Sequence, residues 1–118
     1  MNIPKTIFCD IDGTLVLHQP LTETSKPTHT PIVLQDTIKK LTDWNYKGYY
    51  VVLTTGRRES QREETVKQLN KVGIFYDQLI MGLPRGTRIV INDQKPDGTI
   101  TAEAYSLERD KGIGELDI

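Results

Sequence analysis

The sequence predicts an α/β domain built on an open, mainly parallel sheet with helices on both of its faces. Three observations carry that expectation. Short apolar runs rich in β-branched or aromatic residues recur along the chain, amphipathic helical stretches alternate with them, and polar clusters follow the runs at their carboxyl ends. The runs are "TIFC" at 6–9, "GYYVVLTT" at 48–55, "FYDQLIMG" at 75–82 and "TRIVIN" at 87–92.

Each element has a local reason. The run at 6–9 ends at once in two carboxylates, Asp10 and Asp12, which suits a buried strand opening into a site. Between about 31 and 46, Leu34, Ile38, Leu41 and Trp44 recur at helical spacing, and Gly48 supplies a stop. The run at 48–55 then completes a β-α-β unit, whose crossover is expected to be right-handed. From Glu59 the chain is charged, with Val66, Leu69 and Val72 on one stripe and Gly73 at the C-cap position, so a second helix is expected over 59–72. The runs at 75–82 and 87–92 read as two further strands around the turn signal "LPRG". The tail from Gly98 starts β-like and then turns polar, with no assigned end. The segment at about 17–31 is polar, holds Pro20 and Pro27, and has no periodicity, which predicts an exposed flap.

With 118 residues the chain has the size of one domain, expected over 1–118. Fifteen basic and sixteen acidic residues give a formal net charge of −1, so no overall field draws the protein to nucleic acid or to an anionic membrane. No apolar run approaches the roughly 18 residues of a membrane span, and "MNIPKTIF" lacks the basic and apolar regions of a secretory leader. Cys9 is the single cysteine. An intrachain disulfide is thereby excluded, and a cytoplasmic setting is expected.

In an open α/β sheet the ligand crevice lies beyond the carboxyl ends of the strands. Three polar clusters fall there: "DIDGT" after the first strand, "TTGR" after the second and "NDQKPD" at 92–97 after the fourth. Gathering Asp10, Asp12 and Asp93 within a few ångströms is too costly unless a hard cation preferring oxygen ligands sits between them, and Mg²⁺ is the expected ion. Such sites keep coordination positions open for a phosphate oxygen, so a phosphorylated substrate follows. Thr55 and Gly56 suit the other side of that phosphate, through a hydroxyl and exposed amides at a helix start.

The stretch "DIDGTL" resembles motif I of the haloacid dehalogenase superfamily. Thr55 in "VVLTTGR" is similar to motif II, and "IVINDQKPD" to motif IV. The three motifs occur in the right order over 7–97. The resemblance implies a Rossmann-like phosphatase fold in which Asp10 attacks phosphorus to form an aspartyl-phosphate. Asp12 then serves as acid and base, Gly13 joins Thr55 and Gly56 around the phosphate, and Asp93 completes a Mg²⁺ site with Asp10 and the main-chain carbonyl of Asp12. It also implies a capless member, because the spacings after motifs I and II leave room only for a flap or a short helix.

One departure concerns the cation of motif III. Many members carry a lysine in Gly-Lys-Pro, where this chain reads "MGLPRG" with Leu83 in that place. Lys95 and Arg85, both on loops, are the expected replacements, ahead of Arg88 within its strand. Asp97 reads as an anchor behind the site or as a turn former before Gly98, and Arg57 as a phosphate ligand or a solvated charge.

Other residues take plainer readings. Cys9, inside an apolar strand, is a buried structural thiol, and a Cys-x5-Arg phosphatase is excluded because the sixth residue after it is Leu15. His18 and His29 lack an acidic partner at a telling spacing, and Trp44 faces the core.

The expected reaction is Mg²⁺-dependent hydrolysis of a phosphomonoester, on a sugar phosphate or a similar phosphorylated metabolite, with a homo-oligomer covering the open site. The alternatives are a polynucleotide-end phosphatase and a catalytically weak phosphate-binding or receiver-like module. Asp12 beside the nucleophile argues against a switch, because an acid/base there hastens turnover.

Overall fold

The computed structural model describes residues 3–118. Residues 1 and 2, where the domain and leader readings start, lie outside the described residues. In chain order the elements are β1 (Thr6–Asp10), α1 (Leu21–Thr24), α2 (Thr37–Tyr46), β2 (Tyr50–Thr54), a 3-10 turn (Glu59–Gln61), α3 (Arg62–Lys71) and β3 (Gln78–Ile80).

The three strands form a parallel sheet in the order β1-β2-β3. Asp10 lies opposite Thr54, and Leu53 opposite Leu79. Because side chains alternate along a strand, Cys9, Leu53 and Leu79 share the face that meets the core. That core is closed by Leu41 and Trp44 of α2, Leu69 of α3, and Ile11, Leu15 and Ile113 from the loops.

The helices follow their apolar spacing. α2 buries Thr37, Leu41 and Trp44, four and three residues apart, and the Thr37 hydroxyl donates to the Leu15 carbonyl at 2.9 Å. α3 buries Thr65, Gln68 and Leu69, a stripe as much polar as apolar. Cys9 is buried as expected, and burial pushes its thiol up to about 12.

The segment at 17–31 differs from a free flap. It contains α1, buries Thr24 and His29, and is fastened to α3, where Gln68 donates to the Thr24 carbonyl at 2.7 Å and Lys71 to the Thr30 hydroxyl at 2.8 Å. No inserted cap domain is present among the described residues.

The larger difference is the expected fourth strand. Residues 87–92 pair with no strand of the sheet, and Ile89, Val90 and Ile91 are exposed. They belong to an arm that leaves the core at Leu83, whose amide donates to the Thr55 carbonyl at 3.2 Å. The arm returns at Asp110, whose amide donates to the Gly13 carbonyl at 2.8 Å. Its tip is a self-contained turn, with Lys95 donating to Thr99 O at 3.0 Å, Gly98 to Lys95 O at 2.8 Å, and Asn92 to the Thr101 hydroxyl at 2.8 Å. The tail then packs on the core through Ile113 and Leu116, and Lys40 and Lys47 donate to the carbonyls of Leu116 and Ile118. The arm accounts for a radius of gyration of 15.0 Å and a longest extent of 51 Å. A domain of this length with no projection has a radius of about 13.5 Å.

Candidate active site

The carboxyl end of β1 turns sharply. The amides of Thr14, Leu15 and Val16 all donate to the Ile11 carbonyl, at 3.2, 2.9 and 3.2 Å, and Gly13 N donates to Val16 O at 2.8 Å. Gly13 sits at φ +87°, and a Cβ there would meet Arg109 Cγ at 3.1 Å. Both the backbone region and the contact demand glycine. Gly13→Ala is therefore expected to cost about 1–3 kcal/mol, read as a lowered midpoint in thermal or denaturant unfolding. An unchanged midpoint would show that the turn relaxes without loss.

This turn holds Asp10 and Asp12 apart in environment. Asp10 lies at the exposed rim, where the Thr14 hydroxyl donates to its Oδ2 at 3.1 Å. Its carboxyl is pushed above the ordinary carboxylate value, chiefly by partial loss of solvent and further by the Asp12 charge. The Thr14 and Ile11 hydrogen bonds and the Arg88 charge oppose that rise.

Asp12 is clamped. Arg57 donates through Nη2 to Oδ1 at 2.8 Å and through Nε to Oδ2 at 3.1 Å, and the Thr55 hydroxyl adds a bond to Oδ2 at 3.2 Å. Arg57 is 5% exposed, and its remaining nitrogen donates to Gln68 Oε1 at 2.8 Å and to the Thr65 hydroxyl at 3.4 Å. Thr55 in turn accepts from the Arg57 amide at 3.1 Å. Planar two-point pairing of this kind fixes orientation as well as charge. Asp12 is thus held in a three-bond cradle.

The sheet edge brings together Asp10, Asp12, Gly13, Thr55 and Gly56. Gly56 is exposed there, and a Cβ on it would meet the Leu83 carbonyl at 3.2 Å. The Thr55 hydroxyl is already committed to Asp12 and to the Arg57 amide. Asp93 and Lys95 lie out on the arm, and Arg85 is exposed near its base. Among the described residues no three acidic, His or Cys side chains are gathered closely enough to hold a metal ion. Of the three cations weighed for the phosphate, Arg88 is the one whose charge reaches Asp10. Its guanidinium is anchored on the Pro84 and Gly86 carbonyls at 2.6 and 2.8 Å.

Arg57 is the residue whose role the sequence left open. A signal did exist: Thr65 and Gln68 place polar groups on the same buried helix stripe as Leu69, and a buried polar stripe needs a partner.

The oxygen donors of the rim, the Asp10 carboxylate and the Asp12 main-chain carbonyl, are of the hard type that Mg²⁺ prefers. Oδ2 of Asp12 accepts from both Arg57 and Thr55, whereas Oδ1 accepts from Arg57 alone and keeps one acceptor position for a further contact.

The family model for haloacid dehalogenase-like hydrolases matches residues 7–105. Among solved structures, a chain of the Pnkp1/Rnl/Hen1 RNA repair complex is 32% identical over 72% of this chain and 28% of its own, with a TM-score of 0.57. A second structure of the Pnkp1/Rnl/Hen1 complex gives 31% identity, 74% and 31% coverage, and a TM-score of 0.58. The D,D-heptose 1.7-bisphosphate phosphatase from B. bronchiseptica, complexed with magnesium and phosphate, is 18% identical over 65% of this chain and 49% of its own, with a TM-score of 0.47. No curated protein matches the chain. The chain spans less than a third of the length of the RNA repair chains it matches. Among the described residues no helix is long and apolar enough to cross a membrane. With the family match extending from the first strand through most of the arm, and with the paired aspartates at the carboxyl edge of an open parallel sheet, the chain belongs to the haloacid dehalogenase-like hydrolases.

Proposed function

We propose that the protein is a Mg²⁺-dependent phosphomonoester hydrolase with Asp10 as nucleophile. The observation that carries this reading is the division of labour at the rim. One aspartate is presented to solvent at the strand end, and its neighbour two residues on is immobilised by Arg57 and Thr55. A bound Mg²⁺, held by Asp10 and the Asp12 carbonyl, and by Asp93 once the arm that carries it meets a sheet edge, would supply the positive charge that lets an anionic phosphate approach anionic carboxylates.

The residues then act in two steps. Asp10 attacks phosphorus as the bond to the leaving oxygen breaks, and Asp12 gives that oxygen a proton. Water next attacks the aspartyl-phosphate and gives a proton to Asp12, which frees the Asp10 carboxylate and inorganic phosphate. Arg57 keeps Asp12 aimed at the place where both proton transfers occur. Arg88 offers positive charge on the Asp10 side, ahead of Arg85 and Lys95. Phosphate oxygens would meet the amides around Gly13 and Gly56.

The substrate is a phosphate monoester reached through an open site. Sugar phosphates fit the small capless form read from the sequence. The 32% identity to a chain of an RNA repair complex favours a second reading, in which the ester is a polynucleotide end.

Hydrolysis of an aryl phosphate is expected to require Mg²⁺ and to stop in excess EDTA, and undiminished turnover in EDTA would overturn the metal assignment. In the same assay a panel of sugar phosphates set against phosphorylated oligonucleotides decides between the substrate classes.

A further inference from the structure

We infer that the arm at 84–108 is exchanged between two copies of the chain, its first strand pairing with β1 of the partner so that Asp93 completes the partner's active site. The inference rests on the reading of Asp93 as a site residue. Four observations carry it.

First, β1 is an edge strand with no partner on its outer side among the described residues, and Phe8 on it is 63% exposed. An open edge beside an apolar side chain is a template for another strand. Second, the arm holds the strand-like run at 87–92 without a sheet. Ile89 is 79%, Val90 60% and Ile91 91% exposed, apolar on both faces as in strands buried within parallel sheets. Third, the acid that the site lacks follows that strand directly, at Asp93. Parallel pairing of 89–93 with 6–10 would set Asp93 level with Asp10 at the carboxyl edge, whereas antiparallel pairing would send it to the opposite end of the sheet.

The fourth observation weighs against the same pairing within one chain. Leu83 is fixed to Thr55 at the carboxyl end of β2. For Ile89 to lie beside Thr6 on the outer edge of β1, the chain would have to pass two strand spacings sideways and about 16 Å back along the sheet. That is about 19 Å in a straight line, through the side-chain layer on the sheet face. The six steps from Leu83 to Ile89 reach about 20–22 Å fully extended, which leaves almost nothing for a path around those side chains. Parallel neighbours are ordinarily joined by a dozen or more residues for this reason. A second copy meets no such limit, because its arm arrives from outside. Short connections of this kind favour exchange of an element between protomers, and a two-fold axis makes both sites complete at once.

Two experiments on the full chain test the exchange. Light scattering is expected to give a dimer, and a Phe8→Cys, Ile91→Cys pair in a Cys9→Ser background, at positions opposite each other in that register, is expected to oxidise to a covalently linked dimer. A monomer in solution, or a bridge closing within one chain, overturns the proposal. The second experiment refolds Asp10→Asn and Asp93→Asn copies together. Each alone is expected to be inactive, but half of the randomly formed pairs would carry one intact site of two, restoring about a quarter of wild-type activity. No recovery, with both variants folded and the unaltered chain active, overturns it. A linked dimer that hydrolyses no phosphate ester would leave the arm exchange standing and remove the phosphatase reading. An active monomer would do the reverse.

Discussion

Asp10→Asn is expected to abolish phosphoester hydrolysis and to leave no phospho-enzyme, whereas Asp12→Asn is expected to accumulate one on Asp10. The two side chains are two residues apart, yet their surroundings separate their roles. Asp10 has one oxygen on Thr14 and lies at the exposed rim, where a phosphorus atom can approach. An amide there is a poor nucleophile, so turnover should fall by about 10³-fold or more. Asp12 has both oxygens held in the Arg57 and Thr55 cradle. Asn in its place keeps one acceptor for Arg57 and loses the general base, which is worth about 10²–10⁴ in rate. An activated aryl ester needs little help in leaving, so the first step proceeds and the aspartyl-phosphate waits for a water that nothing deprotonates. Mass spectrometry after exposure to such an ester should find the adduct at Asp10. An adduct at Asp12 or Asp93, or steady turnover by Asp10→Asn, would assign the nucleophile elsewhere.

Arg57→Ala is expected to damage the fold and the activity together. The side chain is buried and makes four hydrogen bonds, to both Asp12 oxygens, to Gln68 and to Thr65. Its removal leaves Asp12 with the Thr55 hydroxyl alone and Gln68 Oε1 without a donor, and breaking a buried pair in this way costs about 3–5 kcal/mol. The Asp12 side chain retains 20% exposure, so water recovers part of that loss and the lower end, about 3 kcal/mol, is expected. For a domain of this size that lowers the melting temperature by roughly 10 °C. Arg57→Lys separates the two effects. A lysine keeps the charge but lacks the planar fork, so it can hold Asp12 at one point while releasing Gln68. It should recover part of the stability and little of the activity. Wild-type turnover in Arg57→Lys would show that the two-point geometry does not orient Asp12.

Several features were legible in the residues themselves because their causes are local. The β1 run into "DIDGT", the β-branched run of β2, and the spacing of Leu41 with Trp44 depend on neighbours three or four positions away at most. Asp10, Asp12, Gly13, Thr55 and Gly56 could be placed at one edge because parallel strands expose their carboxyl ends on the same side. The buried thiol of Cys9 followed from its apolar strand.

The rest turned on distances between segments remote in sequence. Whether Arg57 meets solvent or Asp12 is settled by Thr65 and Gln68 on a helix whose packing fixes where the guanidinium can reach. The polar segment at 17–31 is held against α3 by Gln68 and Lys71, bonds that its own composition does not announce. The run "TRIVIN" has every local mark of a buried strand, yet pattern alone cannot say which edge lies within reach. Six residues, 81–86, separate it from β3. Composition and periodicity determined that this stretch has the pattern of a sheet strand, whereas only the tertiary structure decided that it stays off its own sheet, on an arm fixed to the core at Leu83 and Asp110 by bonds between segments remote in sequence.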